Sequence, residues 1–400
     1  MPIELAKGVY WVGCVDWALR HFHGHELSTH RGSSYNAYLI IDEKNVLVDT
    51  VWPPFADRFI ENIRQIIDPS KIDIVVANHA ETDHSGALPD IMKLALNATV
   101  VVSKRGLESI EGHYHLPWNF QAVQTGHKIN IGTRELVFIE APMLHWPDSM
   151  FTYLTGDNIL MSNDAFGQHY ATPFIFNDRA NQDELYAEAL KYYANILTPF
   201  SAAVSKKIDE VLALGLPVNM IAPSHGVIWR KDPIQIVKKY QEWAAQKPEN
   251  SAVIVYSTMW NGTANMSEAI AEGLRNENIP YKVYRMPNAD RNDVLAEIFK
   301  AKAIIVGSPT FNGGILPSIS PLLEDIRGLK FRNKLGAAFG SYGWSGEAVK
   351  LIEEHLAQSK ITQAASGILA KWQPKPEDLL KCRGLGIQVG QAIKQNQVAP

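Results

Sequence analysis

The chain has 400 residues, enough for two or three domains, and its 46% hydrophobic and 20% charged content excludes wholesale disorder. Lys and Arg total 38 against 42 Asp and Glu, a net charge of −4 that provides no basic footprint for nucleic acid or for an acidic membrane. With 2 cysteines (Cys14 and Cys382) and 13 histidines, disulfide frameworks, thiolate zinc sites and iron–sulfur clusters lack ligands, and imidazole becomes the available metal donor.

The N-terminus, MPIELAKGVYWVG, lacks the pattern of a secretory signal, and no run approaches about 18 apolar residues. A cytoplasmic protein without a membrane span is expected. GVYWVGCVDW, NAYLIIDE and NVLVDT read as short strands, FADRFIENIRQII as a helix, and KIDIVVANH as a buried strand ending in a polar loop. TVVVSK, KINIG, ELVFIEAP, FTYLTG and NILMSND continue the strand series. DELYAEALKYYANILTPFSAAVSKKIDEVLALG reads as one helical region, and VNMIAPSHG as a last short strand. Strand clusters with interposed helices predict a layered α/β sandwich. The polar, proline-bearing stretch Gln246-Lys247-Pro248-Glu249-Asn250 then breaks the chain, placing domains at 1–249 and 250–400. Beyond it, strands SAVIVYS, PYKVYRM, KAIIVGS, KLGAAFGS and QAASGILAK alternate with helices. That pattern predicts a doubly wound parallel sheet, whose ligands bind at the C-terminal ends of its strands.

Two constellations carry chemistry. The loop after KIDIVVA holds His79, Glu81, Asp83 and His84 within six residues. In an extended segment alternate side chains share a face, so His79, Glu81 and Asp83 are expected to converge, with His84 brought alongside by a bend. His145, Asp164 and His225 each follow a later apolar strand. Together these groups suit two cations about 3.5–4 Å apart, with one carboxylate, Asp164, able to bridge them. Of His21, His23, His25 and His30, His23 is the best candidate to line the pocket. His113, His115, His127, His169 and His355 read as solvent-facing or structural. Asp49, in VLVDT, is read as a hydrogen-bonding partner of the metal loop's backbone.

The second constellation is a set of three loops. Ser257, Thr258, Met259, Trp260, Asn261, Gly262 and Thr263 lead from a strand into a helix, and hydroxyls with backbone N–H groups at a helix N-terminus cradle a phosphate. No Gly-x-x-x-x-Gly-Lys-Ser/Thr occurs in that loop, so a phosphate that is held rather than cleaved is expected. Ser308, Pro309, Thr310, Phe311, Asn312 and Gly313 follow the third strand. Ser341, Tyr342, Gly343, Trp344, Ser345 and Gly346 follow the fourth. Small residues admit a flat ring, and Phe311, Tyr342 and Trp344 can cover it.

The first constellation resembles the metallo-β-lactamase superfamily, whose usual signature is His-x-His-x-Asp-His followed by a distant His, Asp and His. Glu81 stands where the zinc hydrolases place a histidine, and the added carboxylate favours iron. The three loops resemble flavodoxin, which binds FMN. Across the chain, His79-x-Glu81-x-Asp83-His84, LHWPDSM, SNDAFGQH, YYANI, PSHG and the flavodoxin loops together resemble the flavodiiron proteins. The resemblance implies an enzyme that reduces O2 to water, NO to N2O, or both, using FMN and two oxygen-bridged irons. It places His79, Glu81 and His145 on one iron, Asp83, His84 and His225 on the other, and Asp164 between them. In some members the histidine matching His84 leaves its iron. Tyr193, in YYANI, resembles a tyrosine close to the substrate. A head-to-tail homodimer, or a homotetramer built from it, is implied, the flavin of one subunit meeting the irons of the other. Rubredoxin, another reductase or a reduced deazaflavin would supply electrons, and a shortened flavorubredoxin is one reading of a chain without a rubredoxin module. Two other readings remain at this point: a dinuclear zinc hydrolase joined to a flavodoxin-like module, and a flavin electron carrier with a structural metal.

Overall fold

The computed structural model describes residues 1–395; residues 396–400 of the expected second domain lie outside them. The chain divides into two compact units, one of Met1–Tyr192 with Ala202–Ala244, the other of Tyr193–Ser201 with the chain from Ala245 on. Among the described residues no helix is long and apolar enough to cross a membrane.

The first unit is built on two sheets. Strands Ile3–Ala6, Val9–Trp11, Tyr38–Ile40, Val46–Val48, Ile74–Val76, Thr99–Ser103 and Asn119–Val123 lie side by side in that order in one sheet. Lys128–Asn130, Glu135–Glu140, Met150–Leu154, Ile159–Asn163 and Met220–Pro223 form the other. Side chains alternate across a strand, and both faces of the first sheet are used. Val46, Val48, Ile74 and Val76 join Leu136, Phe138, Met161 and Ala222 of the second sheet in one core. Leu47, Val75, Val100 and Val102 point the other way, against Phe59, Ile63, Leu88 and Ile91. Helix Ala56–Arg64 buries Ala56, Phe59, Ile60 and Ile63, a 3.6-residue stripe, and each large side chain so buried is worth about 1.5–3 kcal/mol.

Two local expectations change. GVYWVGCVDW is two strands, Val9–Trp11 and Cys14–Asp16, broken at Gly13, where a Cβ would collide with the Tyr35 carbonyl. The long helical region is also broken. Helix Gln182–Tyr192 passes into a π-turn, Tyr193–Leu197, then a 3-10 turn, Thr198–Phe200, before helix Ser201–Ala213. Pro199 has no N–H to give the helical ladder, and the Thr198 hydroxyl bonds back to the Ala194 carbonyl at 2.9 Å.

In the second unit a parallel sheet runs in the order Tyr281–Arg285, Glu249–Tyr256, Ala301–Gly307, Leu335–Tyr342. The last strand then pairs with Thr362–Gln363 along its start and Ile368–Lys371 along its end. This is the doubly wound order expected. Helices Gly262–Asn276 and Pro376–Gln395 pack closely because Gly273 and Gly386 face each other. A Cβ on either would strike the partner helix's backbone.

Candidate metal centre and flavin cavity

The metal-site residues stand on loops at the ends of strands from both sheets. His79 and Glu81 follow Ile74–Val76, and Asp83 and His84 sit on the helical turn Thr82–Ser85. His145 precedes Met150–Leu154, Asp164 directly follows Ile159–Asn163, and His225 follows Met220–Pro223. That helical turn corrects one expectation. It carries Asp83 away from His79 and Glu81, so the donors sort into two groups: His79, Glu81, His145 and Asp164 in one, Asp83, His84 and His225 in the other.

Asp164 joins the groups. Its Oδ2 lies 3.8 Å from His79 Nε2 and 3.5 Å from His145 Nε2, while its Oδ1 lies 3.0 Å from His84 Nε2 and 3.5 Å from His225 Nε2. Glu81 Oε2 is 3.2 Å from His79 Nε2 and 3.3 Å from His145 Nε2. Asp83 Oδ2 is 3.2 Å from His84 Nε2 and 3.0 Å from His225 Nε2. Donors bound to one cation at roughly 2.0–2.2 Å stand about this far apart.

Hydrogen bonding joins His79 Nε2 to Glu81 Oε2 but leaves other donors at the centre unpaired. Both carboxylate oxygens of Asp83, both ring nitrogens of His84 and Oδ2 of Asp164 are buried with no aligned hydrogen-bond partner. They are close to one another yet not aimed donor to acceptor. Buried polar atoms left so are costly, and a cation at the point on which they converge satisfies them together. Three carboxylates among the donors give hard oxygen and negative charge to two such cations, a donor set that fits iron.

The surroundings hold the donors in place. His79 Nδ1 sits 3.1 Å from Asp148 Oδ2, which also accepts the Ala80 N–H at 2.7 Å. His225 Nδ1 meets the Ser34 carbonyl at 2.7 Å. Such partners fix the tautomer and leave Nε2 free to ligate. Asp49 accepts the Asn78 backbone N–H at 2.8 Å, securing the loop's backbone as its place in VLVDT suggested. Burial alone would lower the His84 pKa, but the Asp83 and Asp164 carboxylates outweigh it and raise it to about 9. His79 is likewise raised, with Asp148 and Glu81 overcoming burial. Burial would raise Glu81 and Asp164, yet the surrounding imidazoles hold both below the ordinary carboxylate range.

The flanking predictions divide. His23 lies at the centre, its Nε2 2.9 Å from Glu81 Oε1, and Phe22 beside it packs at 5.7 Å from the His225 ring. Tyr193 is placed elsewhere. It belongs to the second unit, where its hydroxyl meets Ser201 Oγ at 3.1 Å and its ring packs against Phe299. The preceding residue, Tyr192, donates its O–H to Asp164 Oδ1 at 3.1 Å. The π-turn begins between the two, so a helical count along YYANI cannot tell them apart. Sequence reasoning also passed over Asp148, and it read His169 only as solvent-facing or structural. His169 is buried and faces the rings of His225, Tyr192 and Phe22. Burial first, then the neighbouring His225 and His23, keep it neutral.

In the second unit a cavity of about 450 Å³ opens at the C-terminal ends of the strands, a size suited to a cofactor. Met259, Trp260 and Gly262 line it, with Pro309, Thr310, Phe311, Asn312, Ser341, Tyr342, Gly343 and Trp344. The hydroxyl of Thr258 in the loop before the helix is buried without a partner, as a phosphate-binding hydroxyl would be. The remaining predicted residues shape these loops rather than line the cavity. Asn261, at φ 64, holds the N-cap position of helix Gly262–Asn276 without a side-chain capping bond. Ser257 accepts from the Ser318 hydroxyl, and Thr263 meets Ser341 Oγ. Ser308 is buried and accepts the Leu316 N–H. Gly313, at φ 70, turns the ribbon Thr310–Phe311/Gly314–Ile315, and Ser345 and Gly346 precede helix Glu347–Gln358. Trp372 and Gln373, from the loop after Ile368–Lys371, complete the lining.

A paired-cation centre of histidines and carboxylates on a lactamase-like sandwich, joined to a flavodoxin-type sheet, defines a redox metalloflavoprotein. Comparison with known proteins agrees. Residues 34–226 match the family model described as ODP family beta lactamase, and residues 254–386 match Flavodoxin. The chain is 49% identical to a nitric oxide reductase of Moorella thermoacetica, over 98% of this chain and 99% of that one. It superposes on the rubredoxin oxygen:oxidoreductase of Desulfovibrio gigas with a TM-score of 0.98 and 37% identity, covering 100% of each chain. On the flavodiiron protein of Giardia intestinalis the TM-score is 0.92, with 34% identity over 99% of this chain and 97% of that one. The chain belongs to the flavodiiron protein family.

Proposed function

We propose that this flavodiiron protein reduces nitric oxide to nitrous oxide, dioxygen to water, or both. His79, Glu81 and His145 would hold one iron and Asp83, His84 and His225 the other, with Asp164 bridging. The observation that carries this reading is the division of Asp164, whose two oxygens face the two donor groups separately. FMN would occupy the cavity of the second unit, its phosphate on Ser257–Thr263. Bound iron supplies one-electron exchange at two adjacent points, and FMN passes electrons singly.

The chain's own residues do the rest. His79 and His225 are held rigid through Nδ1, which keeps their Nε2 atoms aimed at the centre. Both reactions consume protons, and two groups can hold them at the centre. Tyr192 keeps its hydroxyl proton against Asp164 Oδ1. Burial would lower the His23 pKa, but the hydrogen bond to Glu81 raises it, so His23 can carry a proton at Nε2 while remaining part-exposed to solvent.

A rubredoxin-type protein is the electron donor this reading favours, in keeping with the name of the Desulfovibrio gigas relative. The assembly proposed is a head-to-tail homodimer, or a homotetramer of such dimers, in the cytoplasm. A dinuclear zinc hydrolase is disfavoured by Glu81 and by the family itself, and a simple flavin carrier would leave NO unreduced and take O2 only as far as superoxide or peroxide. Exposure of the chemically reduced protein to NO under anaerobic conditions and, separately, to O2 tests the proposal. N2O formation, or O2 uptake without release of peroxide, is expected; flavin reoxidation with neither would overturn it.

A further inference from the structure

Trp372 and Gln373 lie outside the three loops that the sequence singles out, yet both line the cavity. Trp372 sits at φ 63, a left-handed conformation that a bulky residue rarely adopts, and its N–H bonds the Tyr342 carbonyl at 2.7 Å. Its indole lies on Gly343: a Cβ there would stand 2.9 Å from Trp372 Cζ3 and 3.1 Å from Cη2. The Trp372 carbonyl lies 3.4 Å from where a Cβ on Gly262 would be. Gln373 donates its side-chain amide to the Trp260 carbonyl at 2.6 Å, reaching into the loop that would hold the phosphate. Trp260, Trp344 and Trp372 are 80%, 85% and 65% exposed around one opening, an unusual outlay of indole surface unless a flat ligand covers it.

We propose that the loop after the fifth strand is a fourth element of the flavin site, in which Trp372 forms a wall against the bound flavin and Gln373 positions the phosphate loop through the Trp260 carbonyl. The inference rests on the FMN reading above and adds to it. The two residues have separable roles. An aromatic wall contributes to any flavin, whereas bracing the phosphate loop matters only to a flavin that carries a phosphate.

The test uses the full chain stripped of flavin and titrated with FMN and with riboflavin, following flavin fluorescence. For W372A, the FMN dissociation constant is expected to rise about tenfold or more, with riboflavin weakened in parallel; base–aromatic stacking has effects of this order. W372F should stay within about threefold of wild type, since it keeps a ring. Q373A should weaken FMN and leave riboflavin unchanged. Iron content and the far-ultraviolet spectrum show whether each variant is folded, and W372L, expected to weaken both flavins as W372A does, carries the comparison if W372A is not. An FMN constant within about twofold of wild type in W372A, or Q373A affecting both flavins alike, would overturn the inference. If the wild-type chain binds neither flavin, it is the FMN reading that fails.

Discussion

A buried carboxylate oxygen without a donor is expensive, and Asp83 carries two of them. The protein tolerates the arrangement because His84, His225 and Asp164 converge with it on a common point, and the same convergence fixes how protons compete with metal. In the metal-free protein the raised pKa of His84, about 9, means a proton must leave before Nε2 can ligate. Ferrous-ion affinity of the apoprotein should therefore rise between pH 7 and 9, by about tenfold per pH unit for each proton released. Titration with a competing chelator measures this. The sign for stability is opposite: the protonated form favours the apo fold below about pH 6.5, and that contribution is lost as pH passes 9. Asp148→Ala removes the group that orients His79 and should weaken metal binding about 10–100-fold, read from iron content after dialysis. The adjacent tyrosines separate cleanly. Tyr192→Phe loses the O–H on Asp164 and should slow gas consumption by about tenfold with iron retained. Tyr193→Phe, whose hydroxyl serves Ser201, should remain within about twofold of wild type.

At the scale of elements, strands were legible wherever apolar alternation ended in a polar loop, and the metal donors were legible because each sits at such an end. KIDIVVA before His79 and MIAPS before His225 are instances. What residue spacing could not provide was phase, although for Asp83 the family resemblance already grouped it with His84 and His225. Whether Asp83 faces His79 or His225 depends on a single helical turn, Thr82–Ser85. Whether Tyr192 or Tyr193 reaches Asp164 depends on where a helix widens into a π-turn. Trp372 was missed because the fifth strand of a doubly wound sheet gives no glycine-rich or hydroxyl-rich signature. The glycines of the second unit carry an element-level prediction. Gly386→Leu should force helix Pro376–Gln395 from Gly262–Asn276 and destabilise the second unit by about 1–3 kcal/mol, measured by denaturant unfolding followed through flavin release.

Over the whole molecule, the two units bring distinct redox partners into one chain, and the account depends on both being loaded. Three carboxylates among the donors set the chemistry toward iron, and the flavin cavity makes sense only if electrons are delivered onward. The most direct measurement divides one metal-free, FMN-loaded preparation in two, loads one part with iron and the other with zinc, reduces both, and follows anaerobic NO uptake and, separately, O2 uptake. The iron-loaded protein should consume NO catalytically, or O2 without releasing peroxide, and the zinc-loaded protein should leave NO untouched and turn O2 only into peroxide. The same outcome for both, or neither reaction by the iron-loaded protein, would contradict the account.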